Sequence, residues 1–209
     1  MKSIFKNLFC FLGPFILIPA VLGVTLIGLS GLWLYFEIPT EKEIRGCMIT
    51  KMRSVDLCPG SSKYVRLSQI SPYIIKALIM TEDASFYSHN GFDFDEIKKS
   101  FEKNMKLGRY ARGASTITQQ LTRNLFLTEE KSLLRKFKEV LFTIQVEKVL
   151  KKSEILERYL NVVEFGPNIY GIAKASESYF KKPPSQLSLL ESSFLVFLLP
   201  NPKIYSQSY

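Results

Sequence analysis

Histidine is nearly missing from this 209-residue chain and cysteine is scarce: His89 stands alone, and the cysteines are Cys10, Cys47 and Cys58. No Cys/His cluster can be drawn from so few residues, which argues against a structural zinc site. Internal repeats are absent, and period-2 alternation of apolar and polar residues is scarce, so a mostly α-helical domain is expected. Acidic residues are short as well, with 19 Asp and Glu against 28 Lys and Arg, a net charge of +9. The imbalance is local. Residues 98–152 hold fourteen Lys and Arg against five Glu, and the rest of the chain balances. Such a concentration attracts anions.

Charge is missing altogether between Asn7 and Phe36, thirty residues bounded by Lys6 and Glu37. About 20 apolar residues suffice to cross a bilayer, so this run reads as a membrane span. Pro14 and Pro19 lie near its start, where a kink or a late helix start is tolerated. A cleaved signal peptide, with an apolar region of about 7–15 residues before a small-residue cleavage site, fits poorly. Lys2 and Lys6 place the N-terminus in the cytoplasm and everything after Glu37 outside. Trp33, Tyr35 and Phe36 suit the far interface. The expected layout is a cytoplasmic N-terminus over 1–6, a transmembrane anchor over 7–36, a membrane-proximal linker over 37–64, and one globular domain over 65–209. The linker mixes charge with Pro59-Gly60 and Ser61-Ser62. Cys10 falls within the span. Cys47 and Cys58 flank a short loop in an oxidising compartment, and spacing alone leaves open whether they bond. A domain outside the cytoplasm seldom meets nucleic acid, so anionic lipid headgroups or a lipid pyrophosphate suit the basic segment better.

In the globular part, Ser71-Pro72 caps and opens a largely buried helix that ends near Glu82. Asn90-Gly91 is a turn, and Asp93 or Asp95 can cap a helix carrying Ile97 and Phe101. A basic, glycine-containing loop follows from Lys106 to Gly113. Further helices are expected over Ser132 to Leu150, from Ser153 to about Val163, and within Asn168 to Phe180. Ser188-x-x-Glu191 is a capping-box pattern ahead of Phe194 to Leu199.

The stretch around which the chain is organised runs from Arg112 to Asn124. Gly113 frees the backbone, and Ser115 is a natural N-cap from which a helix is expected to start. Ile117, Leu121 and Leu125 form one apolar stripe. Thr116, Gln119, Gln120 and Arg123 share the other side, a richer set of hydrogen-bonding groups than a solvent-facing helix needs. In the helix from Ser132, Leu133, Phe137, Val140, Leu141 and Ile144 cluster on one face. Phe142, Val146 and Val149 form a second, and Arg135 and Glu139 fall within it. An exposed i, i+4 ion pair would be worth only a few tenths of a kcal/mol. With Phe142 and Val146 as neighbours, a charged pair lining a cleft fits better. Glu82, at the end of an apolar helix just ahead of a turn, is a partly desolvated carboxylate suited to accepting a proton. The bland alternative is a helix-end carboxylate paired with a nearby lysine.

These residues carry a resemblance. Gly113-Ala114-Ser115-Thr116-Ile117-Thr118-Gln119-Gln120-Leu121-x-Arg123-Asn124 resembles the signature of the peptidoglycan glycosyltransferases. These are the chain-polymerising domains of class A penicillin-binding proteins and their monofunctional relatives. Glu82-Asp83-x-x-Phe86-x-x-His89-x-Gly91 resembles the family's first motif, and Arg135-Lys136-x-x-Glu139 its third. The fourth is matched by Glu154-Ile155-Leu156-Glu157-x-Tyr159-Leu160-Asn161, with Glu164-Phe165-Gly166 and Tyr170-Gly171. The likeness runs from about Val65 to Pro202. Four long motifs in register are far more specific than one. The family usually has Lys where this chain has Arg123, which keeps the charge but changes its hydrogen-bonding fork. With no second domain following, the monofunctional, membrane-anchored branch fits best.

The resemblance implies a lysozyme-like helical fold behind one N-terminal transmembrane helix, with Glu82 as general base and Glu139 as the second glutamate of the active site. The substrates implied are a lipid-linked glycan chain as donor and lipid II as acceptor. Arg123, Arg135 and Lys136 would stabilise the departing pyrophosphate. Ser115, Thr116, Gln119, Gln120 and Asn124 would bind substrate. Asp83 would orient the base, contact substrate or cap, while His89, Tyr159, Asn161 and Gly166 would support the fold. No metal is required, although Mg or Mn bridging Glu and pyrophosphate is compatible with the residues. The implied location is the inner membrane, single-pass, with a periplasmic catalytic domain and other cell-wall synthesis proteins as candidate partners. Three alternatives compete. A lytic, lysozyme-like enzyme would not need Arg112, Arg123, Arg135 and Lys136 together, a non-catalytic anchored scaffold would not need both glutamates, and a nucleic-acid binder would leave the glutamates unexplained.

Overall fold

The computed structural model describes residues 2–109 and 113–208, with side chains from 18 onward apart from 27 and 208. Arg112, and with it part of the basic loop between Lys106 and Gly113, lies outside the described residues, as do the Lys2 and Lys6 side chains. The chain divides into two compact units, Met1–Ile38 and Pro39–Tyr209.

The first unit is helix α1, Lys2–Glu37. At 1.5 Å per residue it is roughly 54 Å long, well beyond the ~30 Å hydrocarbon core of a bilayer. Ile18, Val21, Leu22, Val24, Leu26, Leu29 and Leu32 are all exposed on it. Among the described residues it is the one helix long and apolar enough to cross a membrane, and it is compatible with a membrane anchor.

The second unit is mostly helical, and it begins earlier than the sequence suggested. Much of the segment read as a linker is folded. Helix α2 (Glu41–Arg45) is closed by a capping box in which Thr40 and Glu43 satisfy each other's backbone N–H groups. Strands β1 (Met48–Ile49) and β2 (Asp56–Leu57) pair antiparallel, and Cys47 and Cys58 beside them form a disulfide with Cα atoms 4.3 Å apart.

Helix α3 (Pro72–Glu82) starts where Ser71-Pro72 predicts, and α4 (Phe94–Leu107) takes Asp93 as its cap and ends at Gly108 in the left-handed region. Helices α5 (Ile117–Phe126), α6 (Leu133–Val149) and α7 (Lys152–Val162) follow. A small antiparallel pair, β3 (Glu164–Gly166) and β4 (Ile169–Tyr170), leads to α8 (Ile172–Phe180), α9 (Leu189–Leu198) and α10 (Pro202–Tyr205). The Ser188/Glu191 capping box is present at α9.

Helix α5 packs against both α6 and α7, so its apolar stripe is enclosed. Ile117, Leu121 and Leu125 are fully buried, as are Ile155, Leu156, Tyr159 and Leu160 of α7. Full burial of one such side chain is worth about 1.5–3 kcal/mol, enough to fix which face of α5 turns inward. Helix α3 packs on α9, burying Ile74 and Leu78 with Leu195 and Leu198. The hairpin finishes α5 at its other end: Lys51 N–H donates to Leu125 O (3.0 Å) and Met52 N–H to Asn124 O (3.3 Å). These carbonyls belong to the last turn of α5, where intrahelical partners run out. Asn161 fastens the chain before α3 to α7, accepting from Val65 N and donating to Val65 O, both at 2.8 Å.

The disulfide closes a loop with a sequence separation of 11 residues. A Cys47→Ser/Cys58→Ser double variant is expected to lose about 3 kcal/mol of stability by loop-closure entropy, read as a lower thermal midpoint of the full chain in detergent.

Candidate active site

The loop between α3 and α4 is tied to the start of α5 by one carboxylate. Asp83 is buried, and its Oδ1 lies 2.8 Å from His89 Nε2. Gly91 N–H donates to His89 Nδ1 (3.1 Å), which leaves the ring proton on Nε2 to donate to Asp83. The other oxygen, Asp83 Oδ2, accepts from the backbone N–H of Ile117 (3.0 Å), the first residue of α5. A carboxylate there also meets the positive end of the helix dipole. Gly91 holds φ +90°, and a Cβ on it would stand 2.8 Å from Thr143 Cγ2. Only glycine lets this turn approach α6 so closely.

The start of α5 differs from the expectation. Thr116, not Ser115, is the N-cap, and Thr116 with Gln119 forms a capping box. Thr116 N–H donates to Gln119 Oε1 (3.0 Å), Gln119 N–H donates to Thr116 Oγ1 (3.2 Å), and the Thr116 hydroxyl donates to Gly91 O (2.7 Å). The reason is the spacing Thr116-x-x-Gln119, which offers two reciprocal bonds where Ser115 as cap would offer one. Both side chains are buried, and Thr116 Oγ1 and Gln119 Oε1 are committed to holding the helix end.

A cavity of about 740 Å³ opens in front of this junction. Of the residues singled out from sequence, Glu82, Asp83, Ser115, Thr116, Gln120 and Arg123 line it, and Gln119, Asn124, Arg135, Lys136 and Glu139 do not. Glu82 is half-buried, and Gln120 Nε2 donates to its Oε2 at 2.9 Å. Arg123 also lines the cavity wall, with no ion pair or hydrogen bond of its side chain to another described residue. Three residues of α4 and its cap complete the opposite side, Asp93, Glu96 and Lys99. Sequence reading passed over them as sites, although their spacing of three residues places them on one flank of a helix. Ser85 and the Glu96 N–H donate to the Asp93 carboxylate, and these bonds hold it below the usual carboxylate range.

Glu139 sits elsewhere. Its face of α6, with Phe142, Thr143 and Val146, is the buried one, and the Leu133–Phe137–Ile144 face is exposed. Glu139 is 0% exposed rather than lining the cavity, and it is enclosed by Arg135 Nη1 at 2.9 Å and the Lys136 ammonium. Two cations on one enclosed carboxylate make a compact ionic unit whose geometry is fixed by helix spacing.

A carboxylate held by an amide donor, with an arginine on the wall of the same cavity, can take a proton from a hydroxyl and receive an anionic group. The transglycosylase family model matches residues 50–209. The chain belongs to this family. The biosynthetic peptidoglycan transglycosylase of Nitrosospira multiformis is 38% identical over 176 residues, covering 84% of this chain and 76% of that protein. That of Chromobacterium violaceum is 46% identical over 145 residues, 69% of this chain and 64% of that protein. That of Dechloromonas aromatica is 35% identical over 201 residues, 90% of this chain and 87% of that protein. Family membership makes the chain a glycosyltransferase, and the match from residue 50 takes in strand β2 and the turn before it as well as the four motifs.

Two outcomes follow from this geometry. Arg135→Ala removes one cation from an enclosed carboxylate and is expected to cost about 3 kcal/mol, the low end for a broken buried pair because Lys136 remains. A thermal melt of the full chain reads it. Because Asp93 is held low, its contribution to stability is complete above the ordinary carboxylate range and is lost as pH falls through its lowered value. Asp93→Asn, which can still cap α4, is expected to flatten that acid-side fall in the thermal midpoint.

Proposed function

We propose that the chain, a peptidoglycan glycosyltransferase of cell-wall synthesis, polymerises lipid II into β-1,4-linked glycan strands with release of undecaprenyl pyrophosphate. The observation that carries this reading is that the Glu82 carboxylate, held by the Gln120 amide, and Arg123 line one cavity. The acceptor's 4-hydroxyl attacks C1 of the donor's terminal N-acetylmuramoyl unit. Glu82 takes the hydroxyl proton, the new C1–O bond forms with inversion, and the C1–O bond to pyrophosphate breaks. The leaving group departs as an anion, so it needs positive charge more than a proton. Arg123 supplies that charge, with two parallel donors matched to phosphate oxygens. Arg135 and Lys136, braced on Glu139, extend the positive field.

The steps above pass through no metal. Glu82 and Glu96 are oxygen donors of the kind Mg²⁺ or Mn²⁺ takes. Among the described residues no three such ligand atoms converge in the cavity, and the one cluster of three includes the disulfide-bonded Cys47 and Cys58. An ion there would complete its shell from pyrophosphate and water and would neutralise phosphate charge.

In this reading α1 anchors the chain once in the cytoplasmic membrane, with the N-terminus inside and the catalytic unit in the periplasm. Lys2 and Lys6 ahead of the apolar run support that orientation. The Cys47–Cys58 bond supports an oxidising compartment for the second unit.

Detergent-solubilised protein given labelled lipid II is expected to make a ladder of long glycan on a gel. Glu82→Gln should abolish the ladder while the thermal midpoint stays within a degree or so of wild type, since a partly exposed side chain is changed to its isostere. Retained polymerisation would remove Glu82 from the base role, and cleavage of preformed glycan would make the enzyme lytic.

A further inference from the structure

Behind the cavity wall lies a tyrosine that packing alone does not explain. Tyr159 of α7 is fully buried and outside the cavity lining. A phenylalanine would fill the same volume without the cost of enclosing a hydroxyl, which is about 1–3 kcal/mol unless the group is bonded. Its Oη lies 2.9 Å from Gln120 Oε1, the far end of the amide whose Nε2 donates to Glu82 Oε2. We propose that Tyr159 is a positioning residue for the glycosyl transfer: its hydroxyl fixes the Gln120 amide so that the NH₂ group faces Glu82 and holds it as an oriented, ionised base.

The chemistry of each link supports this order. An ionised carboxylate only accepts, so the amide must turn its NH₂ toward Glu82 and its carbonyl toward Tyr159. The phenol then has to donate, and with that bond made the opposite amide orientation is disfavoured. Gln120 Nε2 also lies 3.4 Å from Ser115 O, a second acceptor on the same side. Phenylalanine offers the amide oxygen no donor, so it leaves the orientation of Gln120 unfixed.

The charged groups facing Glu82 come from every wall. Arg123 stands on α5, Asp83 beside it in sequence, and Asp93, Glu96 and Lys99 on the α4 side of the cavity. Burial pushes the Tyr159 phenol well above its ordinary value, with Glu82 adding in the same direction and Arg123 opposing. The phenol therefore keeps its proton throughout the working range and titrates no limb of its own.

The relay rests on Glu82 being the base of the proposed reaction. It is tested with the full chain in detergent by initial polymerisation rates on labelled lipid II, across pH and at limiting and saturating substrate. Tyr159→Phe is expected to lower kcat about tenfold, the order of one neutral hydrogen bond, with KM little changed. It is also expected to move the acid limb of the profile to higher pH, because a donor to the ionised base has been loosened. Gln120→Met should move the limb in the same direction, and the double variant should be no worse than Gln120→Met alone. Should Tyr159→Phe fold poorly, Gln120→Met alone still decides, since Gln120 is only half-buried and a profile of wild-type shape in that variant overturns the relay. A Tyr159→Phe profile of wild-type shape overturns the relay, as does a loss uniform in pH that tracks a lowered thermal midpoint or adds to Gln120→Met. No polymer from the wild-type protein overturns the glycosyltransferase reading instead, and the relay with it.

Discussion

The site depends on the Asp83 carboxylate more than on any other single group. One oxygen receives the His89 ring and the other the first backbone N–H of α5, so a loop and a helix that are 34 residues apart in sequence are set against each other. The polar residues nearest the proposed base are placed relative to that junction. Glu82 comes one residue before it, Thr116 one residue before the helix it receives, and Gln120 and Arg123 one and two turns along. The bond network is closed on the loop side by Gly91, whose position against Thr143 admits no side chain. Precision at the carboxylate is thus assembled from backbone groups and one buried acid, which cannot drift as surface side chains do.

Two kinds of acid serve two kinds of purpose in this domain. Glu82 is half-buried with one amide donor and an open face to the cavity. Asp83 and Glu139 are buried with partners on both oxygens. The open carboxylate can accept a proton from a substrate, whereas each buried one, with a partner on either oxygen, holds its neighbours in place. The same contrast separates Arg123, which has no described partner, from Arg135, which is paired.

Much of this was legible in the sequence where a local rule decides. Ser71-Pro72, Ser132, and Ser188 with Glu191 each marked a helix start correctly, because a cap is a short-range bond between neighbours in sequence. The apolar stripe Ile117, Leu121, Leu125 is the buried face of α5. Residue type alone points to Ser115 as the cap, and it is the reciprocal bond to Gln119 that selects Thr116. The stretch before residue 65 looked like a linker, since two-residue strands leave no periodic signal and the disulfide that secures them cannot be read from spacing. Tyr159 passed for packing because its partner Gln120 lies 39 residues away in the chain. On the helical wheel the acid of α6 fell among apolar residues, which the structure explains by enclosure rather than by a cleft.

The enclosure of Glu139 has a consequence for the sign of the surface above it. The acid is shut in, while Arg135 and Lys136 keep part of their side chains at the rim, 19% and 47% exposed. One negative and two positive charges leave the trio with a single net positive charge, and that charge is the part facing outward. The carboxylate therefore acts as a keel: it sacrifices half of the local charge to hold the rest in one place. A pair of lysines free in solvent would carry more charge and point it nowhere in particular.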